Sequence, residues 1–126
     1  MVVKSQIKFI KSLQQKKNRA EQKLFVAEGS KTVLELYHSN LEPYKIYISD
    51  PVLQEVDSKF LEMVTASELK QMSSLKTPNQ VLGVFRMPTL KEVDFTDWIV
   101  ALDDVRDPGN LGTIIRLCDW FGINHM

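Results

Sequence analysis

At 126 residues the chain can bury one ordinary core and leave roughly thirty residues for part of a second. Its 44% hydrophobic and 25% charged residues exclude a disordered or fibrous chain, and no stretch nears the roughly 20 apolar residues needed to cross a bilayer. The formal charge of zero conceals an asymmetry. Residues 1 to 23 hold Lys4, Lys8, Lys11, Lys16, Lys17, Arg19 and Lys23 against Glu21 alone, a local charge of +6 that favours a polyanionic partner.

The opening Met-Val-Val-Lys-Ser-Gln lacks an apolar signal core and cleavage site, so a cytoplasmic location is expected. Apolar Val3, Ile7, Ile10 and Leu13 recur every three or four positions and predict a basic amphipathic helix with its lysines on other faces. The polar run from Gln14 to Gln22 has no apolar period, so the helix is expected to fray there into a loop carrying Arg19. Leu24 to Ala27 reads as a strand stopped at Glu28-Gly29. Ser30 stands where a cap belongs, before a helix whose buried side is Val33, Leu34 and Tyr37 and which Asn40 ends.

Tyr44 to Ile48 alternates as a second strand before a turn at Asp50-Pro51. A weak helical pattern covers Val52 to Phe60, Leu61 to Thr65 suits a short strand, and Ser67 to Met72 a capped helical turn or two. Val81 to Phe85 is a further strand, and the polar connection from Pro88 to Asp97 marks a boundary between domains at residues 1–92 and 93–126. Alternating helix and strand indicate a layered α/β fold.

Beyond the boundary, Trp98 to Leu102 is an unbroken apolar run, as expected of a parallel strand covered on both faces. Asp107-Pro108-Gly109-Asn110 suits a type II turn, with proline fixing the second position and glycine supplying positive φ at the third. Helical spacing returns at Ile114, Ile115, Leu117, Cys118 and Phe121, with Gly122 placed to end the helix in a left-handed conformation. Cys118, the sole cysteine, is expected to be a small buried apolar group, and an intrachain disulfide is excluded.

The segment from Ala101 through Asp107-Pro108-Gly109-Asn110-Leu111-Gly112 to Arg116, running on to Phe121-Gly122, resembles the first signature motif of the SpoU/TrmH family of RNA 2′-O-ribose methyltransferases. The lysine-rich start, Lys17 and Arg19, and Phe25-Val26-Ala27-Glu28-Gly29 resemble that family's substrate-binding domain. The resemblance implies a ribosomal-protein-like α/β/α RNA-binding domain. This is followed by the first strand and helix of a truncated, knotted (SPOUT) α/β methyltransferase domain.

It further implies that Arg116 assists deprotonation of a ribose 2′-hydroxyl, that Asn110 shapes the site, and that Lys16, Lys17, Arg19 and Lys23 contact rRNA or tRNA. S-adenosylmethionine is the implied methyl donor and a homodimer the implied assembly. The donor loop and later motifs are expected beyond residue 126, so the chain alone is expected to bind donor poorly and not to turn over.

Residue chemistry supports parts of this independently. Ligands of open α/β sheets collect beyond strand carboxyl ends, where a turn such as Asp107 to Asn110 leads into a helix. Arg116 lies off the apolar stripe of Ile114, Ile115 and Cys118, where pairing with Asp119 at i+3 is the bland alternative. Asp103, Asp104 and Asp107 have no histidine or further carboxylate at ligand spacing, so no metal site is expected. His38 and His125 read as surface residues. The rival readings are a non-catalytic RNA-binding module and a nucleotide-binding α/β domain, the latter leaving the lysine-rich helix unexplained. Apolar Trp98 to Leu102 and the helix after it are expected to self-associate or to stay disordered.

Overall fold

The computed structural model describes residues 2–126 and divides into two compact units, the first ending at Pro88 and the second running from Thr89 to Met126. In the first unit the basic amphipathic segment forms α1 (Lys4–Ser12), which buries Ile7 and Ile10. The following polar run is a second helix, α2 (Lys16–Gln22), and not the frayed loop expected from its composition. Side chains supply what an apolar stripe does not. The Arg19 Nη1 group donates to Leu13 O at 2.9 Å and Gln14 O at 2.6 Å, and Asn18 Nδ2 donates to Ser12 O at 2.9 Å. These bonds satisfy carbonyls at the end of α1, which a helix C-terminus otherwise leaves unpaired.

Next come β1 (Leu24–Glu28) and α3 (Ser30–His38). The cap of α3 is Gly29 at φ 98°, with Ser30 as its first residue, so backbone freedom and not the expected serine hydroxyl begins this helix. Strand β2 (Pro43–Ile48) is followed by turns in place of the expected helix over 52–60. Leu53 and Val56 still reach the core one at a time, while Asp57 folds back to accept from the Lys59 N–H at 3.0 Å. That local carboxylate bond competes with helix formation. Strand β3 (Leu61–Met63), helix α4 (Ala66–Met72) and strand β4 (Val81–Arg86) complete the unit. Helix α4 starts with a reciprocal capping box between Thr65 and Glu68.

The four strands lie in the order β1-β4-β2-β3, antiparallel except for the β2–β3 pair. Alternation along the strands sends one set of side chains to each face. On one face Ile10, Leu13, Leu24, Tyr47, Leu69, Met72, Leu82 and Val84 form a core under α1 and α4. On the other, Val33 of α3 packs down onto Ile46, Ile48, Val81 and Phe85. The unit is thus an α/β/α sandwich. Burial pushes the Tyr47 hydroxyl up to about 12, with Glu62 and Tyr44 adding to the shift.

The second unit contains α5 (Pro108–Trp120) and a single parallel bridge between Ile99 and His125. The expected strand Trp98 to Leu102 is reduced to that bridge, and Trp98 stays 79% exposed. A strand is completed by neighbours on its hydrogen-bonding edges, and only one residue here finds one. Gly122 ends α5 at φ 68° and Cys118 is buried, both as expected. Among the described residues no helix is long and apolar enough to cross a membrane.

Candidate functional site

The first candidate surface lies on α2. Lys16, Lys17 and Lys23 are exposed and Arg19 is half-buried. Neither α1 nor α2 has an acidic residue in its first turn, and α2 begins with two lysines. Cations there oppose the helix dipole and cost local stability. Their position therefore makes sense for a ligand better than for the helix. Lys23 closes α2 in the left-handed region at φ 55°, its N–H donating to Arg19 O. The Arg19 guanidinium commits Nη1 to the Leu13 and Gln14 carbonyls, and its Nε and Nη2 donors meet no acceptor among the described residues.

Strand β1 ends in Glu28, which the sequence marks only as part of a strand stop. Its carboxylate accepts from the Ser73 hydroxyl, from the Ser74 N–H at 2.9 Å and from the Ser74 hydroxyl at 2.9 Å. These contacts tie the loop after α4 to the sheet edge across 45 residues of sequence. Nothing in periodicity announces such a long-range pairing; the two consecutive serines were the only available sign.

The second candidate site is the start of α5. Asp107 caps the helix, its Oδ2 accepting the Asn110 N–H at 2.7 Å, and Pro108 occupies the first helical position. The type II turn expected over residues 107–110 is therefore replaced by a capped helix start, and Gly109 is not among the residues with positive φ. The glycine answers to space instead. A Cβ there would stand 3.0 Å from Asp107 Oδ2, against the carboxylate that does the capping. The sharp bend comes earlier, at Asp104 with φ 54°, beside the Arg106–Asp104 ion pair at 2.9 Å.

Asn110 and Arg116 are both exposed on α5. Six residues of helix separate them by about 9 Å along the axis and about 120° around it. The structure puts them on one rigid element without bringing them into contact. Among the described residues Arg116 forms no salt bridge, so the pairing with Asp119 is not made. No group of His, Cys, Asp or Glu able to hold a metal occurs among the described residues. His38 is exposed and meets Glu55 at 2.9 Å; His125 lies 4.0 Å from Asp97 with most of its side chain covered.

The profile of the MRM3-like substrate binding domain matches residues 4–83, spanning α1 to the middle of β4. The chain belongs to this family. It is also 30% identical over 121 residues to the 23S rRNA (guanosine(2553)-2′-O)-methyltransferase RlmP of Bacillus subtilis, covering 94% of this chain and 48% of that protein. A TrmH-family structure from Porphyromonas gingivalis superposes with a TM-score of 0.80 at 32% identity, over 99% of this chain and 51% of that one. The AdoMet-bound rRNA methyltransferase of Sinorhizobium meliloti gives a TM-score of 0.76 at 30% identity, over 95% and 49%. The MRM3-like chain thus spans about half the length of the relatives it matches.

Proposed function

We propose that this chain is the RNA-gripping part, with the first catalytic motif, of an S-adenosylmethionine-dependent methyltransferase acting on a ribose 2′-hydroxyl of rRNA or tRNA. Residues 1–92 hold the RNA and residues 93–126 begin the methyltransferase domain. The observation that carries the reading is the pairing, in one chain, of an MRM3-like substrate-binding domain with the capped Asp107-to-Arg116 helix start. The working protein is a cytoplasmic homodimer. Its support is the apolar surface of the second unit, where Trp98, Trp120 and Phe121 are largely exposed and demand a cover.

The residues in hand do not fit the donor by themselves. Asn110, Arg116 and the segment from Ala101 to Gly109 are all exposed, and an enclosed cleft is what a small-molecule site requires. What α5 supplies is a guanidinium and an amide on a fixed scaffold. Arg116 donates hydrogen bonds to the ribose 2′-oxygen and holds it in place. Asn110 orients the sugar beside it.

The test is Arg116→Ala in the full-length enzyme. Methyl transfer to RNA should be abolished while RNA affinity stays within a few-fold; undiminished turnover would refute the assignment. RNA binding is tested separately through salt. If three or four cations from Lys16, Lys17, Arg19 and Lys23 meet phosphates, log K should fall with log salt at a slope of about −2 to −4. Each lysine-to-alanine change should make that slope shallower by about 0.7 to 0.9. A salt-independent affinity would remove these residues from the interface.

Retained RNA binding with no methyl transfer in any longer form of the protein would favour a non-catalytic binding module. The match of residues 4–83 to a substrate-binding domain gives that second reading its footing.

A further inference from the structure

We infer that the cavity beside the free edge of β1 receives one unstacked nucleobase of the RNA, with the flanking phosphates on the cationic side of α2. This rests on the RNA-binding reading above and specifies how the RNA is held. The cavity measures about 600 Å³, within the range of about 300–1,000 Å³ typical of small-molecule sites. Its floor is apolar, made by Ile10, Leu13, Val26 and Met72. Leu75 stands at its rim, 46% exposed, and Arg19 and Glu28 form polar walls.

The shape of the charge decides what enters and in which orientation. Glu28 places a carboxylate inside the cavity, which repels a phosphate there. Its three hydrogen bonds from Ser73 and Ser74 occupy three of roughly four acceptor positions, so one can still accept from a base N–H. The cations lie outside. Lys16 and Arg19 are three residues apart along α2, which puts them on one side of the helix, and Lys23 stands at its C-terminal end. Arg19 lines the cavity, while the exposed Lys16 and Lys23 stand outside its lining at the two ends of the same helix. An anionic backbone with an apolar, hydrogen-bonding appendage fits this arrangement, and single-stranded nucleic acid has that chemistry.

The edge of the sheet adds a second recognition element. Bonds from Gly29 N–H to Val81 O at 3.0 Å and from Met87 N–H to Lys23 O at 2.8 Å fix which residues of β1 face β4. Leu24, Val26 and Glu28 consequently turn their backbone N–H and C=O groups to the open side, since β1 ends the sheet. Val26 thus offers a donor and an acceptor at the cavity wall, suited to the edge of a base.

The experiment uses the whole chain and two short single-stranded RNAs of the same length, one carrying a single 2-aminopurine and the other an abasic site at that position. Binding should change the 2-aminopurine emission, and the abasic RNA should bind about tenfold more weakly. Val26→Phe, which fills the cavity, should erase both the emission change and the preference while leaving the salt slope unchanged. Leu75→Ser, at the exposed rim, should reduce the preference without threatening the fold.

Equal affinity of the wild type for both RNAs, with salt dependence intact, would overturn the pocket and spare the RNA reading. Absence of any salt-dependent binding would bring down both. Displacement of the RNA by an extended peptide that perturbs the Val26 amide would assign the edge to a protein strand and overturn the inference.

Discussion

The chain contains two apolar runs that lead through a bend with positive φ, at Gly29 and at Asp104, into a helix, and they end differently. Leu24 to Glu28 is fully paired with β4, and α3 packs back over β4 and β1. Trp98 to Leu102 makes one bridge, and the helix that follows buries Cys118 but leaves Trp120 83% exposed. An apolar run therefore states a need for burial, while its becoming a strand depends on which neighbours reach its two edges. In the first unit the neighbours come from β4, some 60 residues later in the chain. In the second, only His125 does so.

The largest effect should come from attacking the buried side of this contrast. Phe85 is fully buried and stacks on Phe25 with ring centroids 5.9 Å apart. Phe85→Ala should cost about 3–5 kcal/mol in urea unfolding of the chain. Trp120→Ala, removing a larger ring, should stay within about 0.5 kcal/mol where the chain is monomeric, because the ring is 83% exposed there. Comparable losses at the two positions would mean that Trp120 is covered in solution, and the contrast would fail.

A smaller effect sharpens the point that close packing, not apolarity alone, marks the first unit. Gly83 sits in the middle of β4, where a Cβ would come within 2.6 Å of Phe85 Cε2 and 3.1 Å of Val33 Cγ2. Gly83→Ala should destabilise by about 1–3 kcal/mol despite the better strand propensity of alanine. At Gly112, where an added Cβ meets nothing within 4 Å, the same change on helix α5 should be neutral or stabilising. Equal responses would indicate that β4 can shift to admit a methyl group.

The elements legible in the sequence are those whose stabilisation is local or periodic. The stripe of α1, the apolar run of β4 and the glycine that ends α5 all show themselves within a dozen residues. Helix α2 does not, because its order comes from Arg19 and Asn18 reaching back to the carbonyls of Ser12, Leu13 and Gln14. The turn expected at Asp107 gives way to a helix start for a related reason. Asp-Pro-Gly-Asn suits a type II turn and a capped helix start equally well, and only the helical stripe that follows, closing back on Asp107, decides between them. From the sequence Asn110 reads as part of the turn and Arg116 as part of the helix after it, whereas both lie on α5. The cavity walled by Arg19 and Glu28 is not legible there, since it forms where residues 10–28 meet residues 72–75 across more than forty residues of chain.

The smallest effect lies at the start of α4 and separates cap energetics from core energetics. Thr65 accepts the Glu68 N–H at 3.2 Å, and the Glu68 carboxylate accepts from the Thr65 N–H at 2.8 Å. The Thr65 backbone bond, then its hydroxyl, holds the Glu68 carboxyl below its ordinary value of 4.5. A carboxylate with a depressed folded-state pKa stabilises the fold above its unfolded pKa, and that contribution fades as pH falls through the lower folded value. Wild-type stability should therefore decline on acidification below about pH 4.5, with the decline continuing past the point where an unperturbed glutamate has finished titrating. Thr65→Ala should cost about 1 kcal/mol at neutral pH and flatten this part of the profile. If the mutant and wild-type curves instead run parallel through the acid range, the reciprocal cap does not form in solution. The start of α4 would then be held only by Leu69 and Met72 in the core beneath it.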